Sequence, residues 1–127
     1  MKLARYGEAV APALLERAAS DVGVLRVSAI GLLGQIMSKH GGSVSENTAQ
    51  KIKRTLLKGV SDPSPLVQIE AIQALSEVGD KDALPLLEKI VPPNRAITST
   101  DSSKSFLQEK ANEAIKAIRQ RNPEKNQ

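Results

Sequence analysis

One apolar pattern occurs three times along the chain, and it restricts the fold more than any other feature. The three segments begin at Val24, Leu66 and Phe106, so they start 42 and then 40 residues apart. Apolar residues follow i, i+4, i+7, i+8 and i+11 spacing, which places them on one side of an α-helix. An interval of about 40 residues is typical of repeats built from two packed helices. The predicted buried stripes are residues 25, 29, 32, 33 and 36; 67, 71, 74, 75 and 78; and 107, 111, 114, 115 and 118.

A shorter apolar segment precedes each of these helices. These segments span residues 10–19, 52–60 and 83–91, and each contains a leucine pair. We call the first helix of a repeat the A helix and the second the B helix. Ser61 and Asp62, followed by Pro63 and Pro65, suit a turn between two antiparallel helices. The pattern predicts an all-α protein, a right-handed α-α superhelix (solenoid) of about three helix pairs.

The expected boundaries follow from aligning the repeats with one another. Residues 7–15 align without gaps to residues 79–87, so residues 3–7 correspond to the last turn of a B helix. We therefore expect an array that is the C-terminal part of a longer protein, with an open apolar surface at Leu3, Tyr6 and Val10. Glu109 and Asn112 replace apolar residues of the earlier B helices, as expected of a terminal cap. The predicted parts are a repeat domain over 1–121 (partial B helix 3–7, repeat one 8–39, repeat two 46–79, repeat three 81–121, with a polar loop at 92–103) and a disordered tail at 122–127.

Repeat two resembles a known family. Ser61-Asp62-Pro63, Val67-Gln68, Ala71, Ala74-Leu75 and Val78-Gly79-Asp80 are similar to the HEAT repeat, including the HEAT-like repeats of bilin lyases. The resemblance implies a non-catalytic scaffold that binds a protein partner or another part of its own chain. The family usually has Arg after the Val; Arg26 keeps it, whereas Gln68 and Gln108 replace it. A bilin-lyase-related accessory protein is an alternative that the same resemblance implies.

Composition favours no catalytic or cofactor site. The chain has no Cys, which excludes disulfides and thiolate ligands, and its one His, His40, stands beside Gly41 and Gly42. We expect no enzymatic activity, metal or cofactor. Only two aromatic residues, Tyr6 and Phe106, are present, which disfavours a chromophore pocket. No stretch approaches the roughly 20 apolar residues of a membrane span, and we expect a cytoplasmic protein.

Two polar surfaces remain as candidate binding sites. Polar residues of the B helices are predicted to line the concave side and contact a partner protein. The residues predicted for this surface are Arg26, Ser28, Gln35, Gln68, Glu70, Gln73, Glu77, Lys110 and Glu113. Alternatively, Lys51, Arg54 and Lys58 form a basic face on the A helix of repeat two that suits phosphate groups of a nucleic acid. The net charge of +4 permits this alternative, although no aromatic residues are interleaved to stack on bases. Self-association through the open N-terminal end is a further expectation.

Overall fold

The computed structural model describes the backbone of residues 2–40, 44–91 and 102–121, and the side chains of 8–39, 44–91 and 106–121. This part of the chain is entirely helical and contains no strand, which confirms the predicted all-α class. The helices are α1 (Lys2–Ala18), α2 (Gly23–His40), α3 (Glu46–Gly59), α4 (Pro65–Val78), a 3-10 turn (Lys81–Ala83), α5 (Leu84–Glu88) and α6 (Ser102–Arg121). Repeat one contains α1 and α2, repeat two α3 and α4, and repeat three α5 and α6.

Turn residues define where several helices begin. The Ser45 hydroxyl accepts a hydrogen bond from the Thr48 backbone N–H and so caps α3. Pro65 occupies the first turn of α4, where its missing N–H costs no helical hydrogen bond. The Asp80 carboxylate accepts from the Asp82 N–H at the start of the 3-10 turn. Side-chain caps from Ser45 and Asp80 therefore fix where α3 and the 3-10 turn begin.

The B helices α2, α4 and α6 pack side by side and run parallel. Helix α4 contacts both α2 and α6, while each A helix packs against the B helix of its own repeat. Gly31 lies beside Glu70 and Gly34 beside Ala74, so residue numbers increase in the same direction along α2 and α4. Gly79 lies beside Ile118, which brings the C-terminal ends of α4 and α6 together. This arrangement is that of an α-α solenoid.

The hydrophobic core follows the predicted stripes in repeats two and three but only partly in repeat one. Val67, Ala71, Ala74 and Leu75 are buried, as are Ala111, Ala114, Ile115 and Ile118 of α6. Val78 and Leu107, which complete these two stripes, are partly buried. In α2, the predicted burial of Leu25 and Leu32 is wrong, because these side chains are 37% and 47% exposed. Ala74 of α4, which is equivalent to Leu32, packs against Gly34 of the preceding B helix, whereas the described helices leave Leu25 and Leu32 exposed. The largest fully buried side chains are Ile30, Leu33, Ile52, Leu56, Ile72, Leu75, Leu87, Ile118, Val60 and Val67.

Two element bounds and the burial of one residue differ from expectation. Helix α1 is continuous from Lys2 to Ala18, so the predicted break near Gly7, which would have separated a partial B helix from the first A helix, is absent. Helix α6 begins at Ser102, inside the predicted polar loop. Val10, predicted to lie on an open apolar surface, packs against the core. The side chains of Leu3 and Tyr6, the rest of that loop and the tail at 122–127 lie outside the described residues.

Candidate interaction surface

The outward side of the B helices presents equivalent positions from all three repeats. Residues at i, i+4, i+7 and i+11 share one side of a helix. The parallel alignment of α2, α4 and α6 places equivalent residues in rows that cross the three helices. We call this surface the B-helix face. Its rows are Val24, Leu66 and Phe106; Ser28, Glu70 and Lys110; Gly31, Gln73 and Glu113; and Gln35, Glu77 and Ala117.

The first row is apolar and exposed in every repeat. Val24 is 70% exposed, Leu66 63% and Phe106 44%, although each lies in the first two turns of a helix whose other side is buried in the core. Exposure of an apolar side chain to water does not stabilise the fold, so apolar residues at three equivalent exposed positions are not explained by folding. Sequence reasoning missed this row, because the three residues mark the beginnings of the repeated segments and were read only as the edge of the helix pattern.

A polar groove lies between α2 and α4. Gln35, Glu70, Gln73 and Glu77 line it together with Gly31 and Gly34, and its volume is about 170 Å³. The groove is shallow because Gly34 lets the helices approach: a Cβ atom at this position would lie 2.7 Å from the Ala74 Cβ. Four of the predicted binding residues are thus brought together here. Within the described part of the chain, neither the Glu70 nor the Glu77 carboxylate forms an ion pair.

Helix α6 adds a different set of contacts to the same face. The Lys110 Nζ lies 5.4 Å from the centroid of the Phe106 ring and 3.5 Å from the Glu113 Oε1. A cation above an aromatic ring is stabilised by the negative face of the ring. Lys110 and Glu113, both predicted for this surface, therefore interact mainly with each other and with Phe106. Glu70 and Glu77 remain the charged groups of the face that have no ion-pair partner among the described residues.

Arg26 and Gln68 were predicted for this face, but the structure places both side chains on another side of the B helices. The Arg26 guanidinium donates to both Asp62 carboxylate oxygens, at 2.9 and 3.0 Å, and to the Ser20 carbonyl. Gln68 Nε2 donates to the Val60 carbonyl, at 2.9 Å. Each lies two residues after the exposed apolar residue, about 200° around the helix from it. Both side chains are therefore directed toward the turns between A and B helices.

The Arg26–Asp62 pair connects repeat one to the turn of repeat two. The two side chains are only 17% and 13% exposed. Burial raises the pKa of Asp62, but the hydrogen bonds and charge of Arg26, with the Ser64 N–H, outweigh it and hold the pKa below the ordinary value of 3.8. The pair lies in a cleft of about 330 Å³ between the two repeats, which Lys58 also lines.

Further polar contacts lie at the opposite edge, where the B helices end. The Glu8 carboxylate accepts from the Ser45 N–H at 2.9 Å, which contributes most to lowering the pKa of Glu8. Lys53 Nζ lies 2.6 Å from Asp80 and lowers the pKa of that carboxyl group. Arg121 donates to the carbonyls at the C-terminal end of α4, those of Leu75, Ser76 and Gly79.

The predicted basic face is present on α3. Lys51, Arg54 and Lys58 are exposed along one side of the helix, and no described acidic residue pairs with them. Lys53 points elsewhere, toward Asp80. Two cations of α6 are paired with carboxylates: Arg119 with Glu88 at 2.7 Å and Lys110 with Glu113 at 3.5 Å.

The described residues contain no cluster of His, Asp or Glu side chains arranged to hold a metal ion. None of the helices in the described ranges is both long enough and apolar enough to cross a membrane.

The repeated helix pairs and the face formed by successive B helices define the class of α-α repeat proteins. A family model for HEAT repeats matches residues 11–100, which is more than half of the chain, and the chain therefore belongs to the HEAT repeat family. HEAT repeats generally serve as protein-interaction scaffolds. No curated protein and no solved structure matches the chain significantly.

Proposed function

We propose that this protein is a non-catalytic scaffold that binds a protein partner through its B-helix face. The proposal depends on the exposed apolar row of Val24, Leu66 and Phe106. These three equivalent side chains are exposed to solvent and are not part of the hydrophobic core. The groove with Glu70 and Glu77 adds polar groups close to this row. Exposed apolar residues beside a few unpaired polar groups are typical of protein-binding surfaces.

Affinity capture with face variants tests this proposal. The bait is the full chain, incubated with lysate of its source organism with and without nuclease. The double variant Gln73→Lys and Glu77→Lys adds two exposed cations to the face, and we expect it to lose the captured protein. The matched control is Glu16→Lys with Gln120→Lys, which makes the same changes at exposed positions on α1 and on the outer end of α6. Circular dichroism checks that both variants fold. Capture that the face variant retains would contradict the proposal.

Phosphate binding on α3 is the second candidate function. It is favoured by the three exposed and unpaired cations Lys51, Arg54 and Lys58. Fluorescence anisotropy with a duplex DNA tests it, since three phosphate contacts give a slope of about −2.7 in a plot of log K against log salt. The variant with all three changed to Gln should then lose binding, whereas Lys39, Lys89 and Lys116 changed to Gln should retain it. Equal affinities for the two variants would exclude this face.

Self-association is a separate proposal for the side of α2 that faces away from α4. Leu25 and Leu32 are exposed there, together with Val22. Ala74, the α4 equivalent of Leu32, packs against Gly34 of α2, so this side of α2 suits a helix from a second copy. Sedimentation at increasing concentrations should show a shift toward dimers that Leu25→Ser with Leu32→Ser removes. A wild-type chain that stays monomeric at all concentrations would contradict this.

A further inference from the structure

We propose that the B-helix face binds an amphipathic basic peptide segment of the partner, with apolar side chains on the Val24, Leu66 and Phe106 row and a Lys or Arg in the groove beside Glu70 and Glu77. This inference rests on the proposed function and adds the chemistry of the ligand.

The geometry of the row sets the spacing of the apolar residues. Helices that pack side by side have axes about 8–10 Å apart, so neighbouring members of the row are separated by about the same distance. A chain in the polyproline II conformation has three residues per turn and advances about 3.1 Å per residue, so every third side chain faces the same way and is separated by about 9 Å. A segment that crosses the three B helices therefore matches the row when every third residue is apolar.

The charge of the face selects a basic segment. The face contains three carboxylates, those of Glu70, Glu77 and Glu113, and one ammonium group, that of Lys110. Lys110 is already paired with Glu113, which leaves Glu70 and Glu77 for the ligand. The whole chain has a net charge of +4, so this local excess of carboxylates runs against the overall charge. An acidic ligand would bind elsewhere, at the cations of α3.

The size of the groove suits one side chain. Its volume of about 170 Å³ is below the roughly 300–1,000 Å³ of pockets that bind small organic ligands. Glu70 lies one helical turn, about 6 Å, from Leu66 on the same side of α4. A Lys or Arg next to an apolar residue of the segment can therefore reach Glu70 while that apolar residue contacts Leu66.

Three labelled peptides test the inference with the full chain by fluorescence anisotropy. The probe is (Leu-Lys-Lys)4, which has an apolar residue at every third position between basic ones. The comparison peptides are (Ser-Lys-Lys)4, which lacks the apolar groups, and (Leu-Glu-Glu)4, which reverses the charge. We expect each comparison peptide to bind at least about ten-fold more weakly than the probe. Equal binding of (Leu-Glu-Glu)4 would overturn the charge argument, and equal binding of (Ser-Lys-Lys)4 would overturn the role of the row.

Matched variants locate the binding site. Leu66→Ser with Phe106→Ser should weaken binding of the probe about ten-fold, whereas Val22→Ser with Leu32→Ser, which removes exposed apolar groups from another side, should not. Glu70→Gln with Glu77→Gln should weaken binding about five-fold, and Glu16→Gln with Asp21→Asn should leave it unchanged. Control variants that weaken binding as much as the face variants would overturn the assignment.

The peptide test and the capture test fail separately. If Gln73→Lys with Glu77→Lys abolishes capture of a partner but (Leu-Lys-Lys)4 does not bind, the scaffold function stands and the proposed ligand chemistry is wrong. If the face variant also retains capture, the scaffold function at this face is wrong as well.

Discussion

The junction between repeats one and two and the junction between repeats two and three use the same packing of parallel B helices but different polar contacts. At the first junction, Arg26 of repeat one reaches Asp62 in the turn of repeat two. At the second, the equivalent Gln68 bonds to Val60 within its own repeat. Arg121 instead holds the C-terminal ends of α4 and α6 together. Glu8 and Ser45 add a contact at that same edge of the first junction.

The described contacts therefore hold the first junction at both edges and the second junction at one edge. The apolar seam is alike at both, since α4 packs along both α2 and α6, and Ala71 and Ala111 are fully buried. Hydrophobic burial brings the repeats together, and it is directionless. The two junctions differ in their polar contacts. Each polar contact fixes the relative position of two repeats, because it requires a specific donor and acceptor geometry.

The largest expected effect is at the first junction. Arg26→Ala should lower the free energy of unfolding by about 2 kcal/mol, because it removes a paired, mostly buried guanidinium and leaves the Asp62 carboxylate without its cation. Urea denaturation followed by circular dichroism measures the change. Lys39→Ala, at an exposed position of the same helix, should alter stability by less than about 0.5 kcal/mol. Similar losses in the two variants would show that the pair does not hold the junction.

Substitution of two glycines of α2 tests how closely α2 and α4 pack. Gly34→Ala places a methyl group 2.7 Å from the Ala74 Cβ, and we expect a net loss of about 1.5 kcal/mol after the gain in helix propensity. Gly31→Ala meets only the movable Glu70 carboxylate, at 3.0 Å, and should stabilise the protein slightly. Thermal unfolding of both variants provides the comparison. A stabilising Gly34→Ala would mean that the helices are farther apart than described.

The second junction should respond more weakly. Arg121→Ala removes the hydrogen bonds to the end of α4 and should lower the free energy of unfolding by about 1 kcal/mol. Hydrogen exchange should accelerate in α6 more than in α2, because only the second junction is affected. Lys116→Ala provides the control on the same helix. Uniform acceleration across the chain would contradict the separate character of the junctions.

The smallest effect concerns acid pH. The folded-state pKa of Asp62 is lowered, so its contribution to stability is complete above the unfolded pKa and is lost as the pH falls through the folded value. Asp62→Asn should therefore be less stable than the wild type at neutral pH, by less than about 1 kcal/mol, and the difference should shrink below about pH 4. Urea titrations at several pH values measure it, with Asp21→Asn as the control. A difference that grows at low pH would contradict the assigned sign.

The sequence predicted the helical class and most of the core because the apolar spacing is periodic. Periodicity locates the buried side of α4 and α6 correctly. It fails at Leu25 and Leu32 of α2, since burial there depends on whether another helix lies beside them. The continuous helix α1 was also missed: Gly7 is compatible with a helix interior, and alignment to another repeat gave it the role of a helix end.

The candidate site was predicted only in part. Gln35, Glu70, Gln73 and Glu77 come together as expected, because they follow helical spacing on neighbouring helices. Arg26 and Gln68 were assigned to the wrong side, since polarity alone does not separate a side chain that meets solvent from one that meets a turn. The row of Val24, Leu66 and Phe106 requires knowledge of exposure, and an apolar residue at the start of an amphipathic helix is otherwise read as core.

The unequal junctions have a consequence for recognition along the row. Val24 and Leu66 lie at the edge that Arg26 and Asp62 hold, so the distance between these two positions is set before a ligand arrives. Phe106 lies at the same edge of the second junction, where the described residues show no polar contact between repeats two and three. A bound segment would thus contact Val24 and Leu66 at a fixed spacing. The spacing from Leu66 to Phe106 would be less constrained and could adjust to the segment. The protein should therefore discriminate strictly among ligands by the spacing of the two residues that contact Val24 and Leu66. It should tolerate more variation in the position of the residue that contacts Phe106.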